Sequence, residues 1–126
     1  MSKKDNTSAI EVQTLLRQDR RDLAARLLVS AFVPVIDDPY PLMTGARLGE
    51  SLARDAGIRV STWSWSIRRN PDATLAQLIL ELVLLWEGAG LACRGLALDA
   101  NEVVLLTRGE ELLRAGGVDA VRRALR

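Results

Sequence analysis

The chain has no histidine and only one cysteine in its 126 residues. Imidazole-based acid/base catalysis is therefore excluded, and so are the usual zinc sites, which need imidazole or several thiolates. The single thiol, Cys93, makes no internal disulfide, and it reads as a small buried hydrophobe in a reducing, cytoplasmic setting. Aromatic residues are 4% of the chain, so a core must be filled by Leu, Ala, Val and Ile, which the 48% hydrophobic content supplies. Net charge is lacking as well: 17 Lys+Arg against 16 Asp+Glu leaves +1, too little to coat nucleic acid or an anionic membrane by bulk charge. Binding of that kind needs a local patch. No apolar run follows Lys3 and Lys4 within the next dozen residues, so neither export nor a membrane partner is expected.

What is present reads as a polar tail over 1–7 and one domain over 8–126. Thr7 or Ser8 is placed to cap a first helix and Glu11 to complete a capping box; Ile10, Leu15, Leu16, Leu23, Leu27 and Leu28 then give an amphipathic helix ending near Ser30. Ala31 to Pro41 carries three prolines and reads as an extended connector, with Asp37 and Asp38 forming a turn before Pro39. Thr44 opens a second helix to Ala56, burying Leu48, Leu52 and Ala53 and stopping at Gly57.

Residues 58–68 carry two periodicities. At period two, Trp63, Trp65 and Ile67 share a face, as in a half-buried strand, which their composition favours. At the helical period, Trp63 and Ile67 pair on a core side. A helix is expected over 72–88, with Pro71 in its first turn; between Leu75 and Trp86 only Gln77 and Glu81 are polar, so it belongs at the centre of the domain or in a dimer interface. Gly88 and Gly90 end it, a β-hairpin spans 91–107 with its turn at Asp99-Ala100-Asn101, and short helices divided at Gly116-Gly117 complete the chain. The fold class expected is α+β, mostly helical, with a C-terminal β-hairpin and a third strand available from 58–68.

Two stretches resemble known families. Gly49 to Arg68, with Ala53, Gly57, Ile58, Trp63 and Ile67 at the packing and turn positions, resembles the helix-turn-helix of Cro-type and lac-repressor-type regulators. The register implies a recognition helix presenting Arg59, Ser61, Ser64 and Arg68, although Trp63 stands where those families carry an aliphatic residue. Glu87-Gly-Ala-Gly-Leu-Ala-Cys-Arg94, Asp99 and Leu106-Thr-Arg-Gly-Glu-Glu-Leu-Leu113 resemble the end of a winged-helix domain of the multiple-antibiotic-resistance-regulator type. Asn101 there replaces the wing arginine, and the helix that resemblance would place in the groove, 74–87, has Glu81 and no cation.

A DNA contact would therefore fall to Arg59, Arg68 and Arg69, with Ser61 and Ser64, and with Arg47 and Arg54 touching backbone phosphates from the preceding helix. The expectation is a small, cytoplasmic, homodimeric DNA-binding transcriptional regulator. The alternative is a non-catalytic protein-interaction or assembly domain using helix 72–88 and the Trp63/Trp65 surface. No enzymatic activity, metal or cofactor is expected, because no Asp or Glu spacing demands a catalytic partner and Gly88-Ala-Gly90 lacks the length and lysine of a phosphate loop.

Overall fold

The structure is a computed structural model, and it describes residues 15–39, 41–55, 73–95 and 102–125. Within them the chain forms helix α1 (Arg20–Phe32), a 3₁₀ turn (Val33–Val35), strand β1 (Leu42–Thr44), helix α2 (Gly45–Asp55), helix α3 (Ala73–Ala89), strands β2 (Ala92–Arg94) and β3 (Glu102–Leu105), and helices α4 (Thr107–Ala115) and α5 (Gly117–Ala124). It is a mostly helical α+β arrangement with a three-stranded antiparallel sheet in the order β1-β3-β2.

The first helix differs from the single long one expected. Leu15 and Leu16 are helical, the chain turns at Arg17 and Gln18, and α1 begins afresh after Asp19. Asp19 is in extended backbone and its carboxylate accepts the Asp22 N–H at 3.1 Å, a cap inside what periodicity read as helix interior. At the other end α1 continues past Ser30 through Ala31 and Phe32. Pro34 then sits in the first turn of the 3₁₀ segment, where it needs no N–H, so the connector is coiled where an extended one was expected.

The third strand is β1, directly after Pro41; the expected one at 58–68 lies outside the described residues. It pairs Leu42 with Val104 and Thr44 with Glu102, while β2 pairs Ala92 with Leu105 and Arg94 with Val103. Alternation directs Met43, Val103 and Leu105 into the core. At the described ends of the hairpin expected over 91–107, pairing starts at Ala92 and stops at Leu105. The division of the last helices at Gly116-Gly117 is as expected, Gly117 having φ of 64°.

One core holds these elements together. Its centre is Trp86 of α3, fully buried, edge-on to Phe32 of α1 with ring centroids 6.1 Å apart, its indole N–H donating to the Ala24 carbonyl at 2.9 Å. Ala24 and Ala25, also fully buried, keep α1 thin enough for that approach. α3 ends in a Schellman arrangement: Gly90, at φ 73°, donates to the Glu87 carbonyl, and Leu91 donates to the Trp86 carbonyl. This reversal sends the chain directly from α3 into β2.

Candidate docking face and its flanking charges

Among its described side chains, α3 buries Leu78, Ile79, Leu82, Val83 and Trp86, a helical repeat that faces the core. The helix is apolar on its outer side too, and there Leu80 is 37% and Leu84 54% exposed, covered by no element among the described residues. Four residues apart, they stack one turn above the other, with Gln77 and Gly88 exposed on the same face. Of the two places expected for this helix, the centre of the domain holds one side of α3, and the outer side is exposed. Two ion pairs border the stripe. On one side Glu81 accepts from Arg20 Nε of α1 at 3.1 Å. On the other Glu87 holds Arg94 of β2 through Nε at 3.1 Å, Nη2 at 3.0 Å and the backbone N–H at 2.9 Å.

The fork on Glu87 stabilises its anionic form. Hydrogen bonds from the Arg94 side chain, then from its backbone, hold the Glu87 carboxyl below the usual glutamate value. A depressed folded value means that the contribution to stability is complete above the unfolded glutamate value, about 4.3, and is lost as pH falls through the lower folded one. Arg94→Met should therefore lie below wild type in unfolding midpoint at neutral pH, with the gap closing as pH drops below about 4. Urea melts at several pH values measure it; a gap unchanged down to pH 3 would remove the pair as its source.

Of the residues expected to contact DNA, Arg47 and Arg54 are described. Both are exposed on α2, seven residues apart and so on one face about 10 Å long, and neither makes an ion pair among the described residues. The Arg47 backbone N–H is capped by Thr44 Oγ1 at 3.2 Å, which turns β1 directly into α2. Arg59, Ser61, Ser64, Arg68 and Arg69, with Trp63 and Trp65, lie outside the described residues, as do the tail 1–7 and the hairpin turn.

Sequence reading missed a second cationic surface. Arg21 of α1 and Arg122 and Arg123 of α5 line an open cleft of about 830 Å³ with Asp119 and Leu125. Arg122 also reaches Asp22 at 3.7 Å, Asp22 reaches Arg26 at 3.6 Å, and Arg26 grips Asp55 at 2.6 Å, an ionic chain linking α5, α1 and α2. Partners this distant in sequence leave no local signal. Asp37, read as a turn residue, lies in the described turn and also pairs with Arg114 of α4 at 2.8 Å.

Cys93, expected to be buried, is half-exposed on β2. Among the described residues no group of three or more potential ligands could hold a metal, and no helix is long and apolar enough to cross a membrane. Comparison with protein families, curated proteins and solved structures returned no match.

Proposed function

We propose that this chain is a non-catalytic assembly domain of winged-helix type that docks onto protein through the outer face of α3. The observation that carries this reading is the exposed Leu80–Leu84 stripe, on the helix immediately before the β2–β3 hairpin. In the winged arrangement that the C-terminal half resembles, this is the helix that would enter a DNA groove. Here its described outer face offers two leucines, Gln77, Gly88 and an already paired Glu81. Phosphates demand cations and base edges demand hydrogen-bonding groups, so such a face gains little from DNA. Against a protein it gains apolar burial at its centre and keeps its charges for the rim, the usual anatomy of an interface.

A second reading, the homodimeric transcriptional regulator, is favoured by the exposed Arg47 and Arg54 on one face of α2, which precedes the helix-turn-helix-like segment. The cleft arginines 21, 122 and 123 would add phosphate contacts. Duplex-DNA titration across a salt series, on wild type, Arg47→Ala/Arg54→Ala, Arg59→Ala/Arg68→Ala and Leu84→Glu, separates the two. The docking reading expects affinities no tighter than micromolar and equal in all four proteins. Nanomolar, salt-steep binding that the arginine variants lose and Leu84→Glu retains would sink it in favour of the regulator.

A further inference from the structure

We infer that the partner seated on the outer face of α3 is a second copy of this chain, its own α3 packed antiparallel across a two-fold axis beside Leu84. The inference rests on the docking reading above and specifies its partner. Three observations make the face complementary to itself.

The first is shape. Leu80, Leu84 and Gly88 recur every four residues along the exposed side, and an atom built at the Gly88 β-position meets nothing within 4 Å. When the face is turned over about Leu84, Leu80 lies over Gly88 of the partner subunit and the two Leu84 side chains meet. A large residue is set against an empty position at each end, which lets the helices approach in register.

The second is charge. Helical spacing puts Glu81 on one flank of the stripe and Glu87 on the other. A two-fold axis lying in the interface and crossing the helices brings each flank against its own copy. Like charges would then oppose one another, but each flank already carries an ion pair: Arg20 with Glu81, and Arg94 with Glu87. Doubling a neutral pair offers each carboxylate a second guanidinium, and each rim is attractive to itself.

The third is composition. The middle of the stripe holds no charge, whereas Gln77 at its edge can hydrogen-bond and stay solvated. The face is one helix wide, which places the dimer among small, reversible interfaces with micromolar dissociation.

The test combines sedimentation with site-directed disulfides. Wild type at concentrations from about 1 to 500 µM should pass from monomer to dimer mass. Leu84→Glu, at a site open to solvent, and Gly88→Leu, which fills the empty position, should each raise the dissociation constant at least about tenfold while the far-UV spectrum stays near wild type and the melting midpoint of the monomer does not fall appreciably. In a Cys93→Ser background, Leu84→Cys should cross-link readily, because its copy lies beside the axis. Leu80→Cys should not, its copy being about 12 Å further along the helix, yet it should cross-link when mixed with Gly88→Cys.

A monomer throughout the range overturns the inference, as does a dimer that survives Leu84→Glu or one that cross-links at Leu80→Cys alone. Failure of the docking reading itself looks different: it is the tight, arginine-dependent DNA binding described above, whatever the mass.

Discussion

Replacing Trp86 with alanine is expected to lower the unfolding free energy by about 3–5 kcal/mol. The side chain is fully buried, touches Phe32 edge-on, and places its only polar atom, the indole nitrogen, 2.9 Å from the Ala24 carbonyl. Truncation removes the largest apolar surface of the core and leaves a cavity that α1 and α3 collapse into only by sliding, because Ala24 and Ala25 already set them close. A whole domain of this size is held by about 5–15 kcal/mol, so the variant should be at or near the edge of folding at 37 °C. Trp86→Phe keeps the ring contact and loses the hydrogen bond and some volume, and should fall between the two. Leu84→Ala on the same helix should change stability by less than about 0.5 kcal/mol, since Leu84 is 54% exposed. Urea melts followed by far-UV dichroism measure all three, and a Trp86→Ala midpoint close to that of Leu84→Ala would mean that α1 and α3 do not meet as described.

That contrast between two residues of one helix marks where the sequence was legible. Period and composition placed α3 within a residue at each end, and glycine placed its stop, because the left-handed turn at Gly90 is a local event written in a single residue. The division of α4 from α5 was legible for the same reason. Asp19 was not: a capping carboxylate and an ordinary surface carboxylate look alike until the backbone bends, and the leucines on either side keep helical spacing across the break. β1 was hidden because the three residues that follow Pro41 are too few to carry a periodicity, and its pairing with β3 depends on a strand about 60 residues later.

The candidate site was half legible. An apolar helix with Gln77 and Glu81 announces either a central position or an interface, and only packing decides between them. Trp86 meets α1 and Leu78 and Leu82 are buried in the core, while Leu80 and Leu84 are exposed. The flanking pairs were beyond reach, since Arg20 and Glu81 are separated by 61 residues and Glu87 finds Arg94 only because Gly90 folds the chain back. Arg47 and Arg54 were placed on the helix that precedes 58–69, and the structure puts both, exposed, on one face of α2; what such a face binds is decided by neighbours that spacing does not name.

The second large effect is a pair of identical substitutions with opposite signs. Gly109→Ala should destabilise by about 1–3 kcal/mol, although alanine is the better helix former by about 1 kcal/mol. Gly109 is buried in α4 against the turn that follows α3: a β-carbon there runs into the Leu91 carbonyl and comes within 2.8 Å of Leu105 Cδ1. That carbonyl is backbone and already accepts the Leu106 N–H at 2.9 Å, the bond that closes the base of the hairpin against the start of α4. To admit a methyl group, α4 must lift from the sheet or that bond must lengthen, and either disturbs the β2–β3 pair that positions Arg94 on Glu87. Gly88→Ala meets nothing and has ordinary helical backbone, so there the propensity gain stands alone and the protein should become more stable by about 0.5–1 kcal/mol. Melts at about 1 µM or below, the monomeric end of the sedimentation range, isolate the effect on one chain. If both variants shift the same way, the close approach of α4 to the α3–β2 turn is not what that glycine serves, and the junction that orients the outer face of α3 must be held by something else.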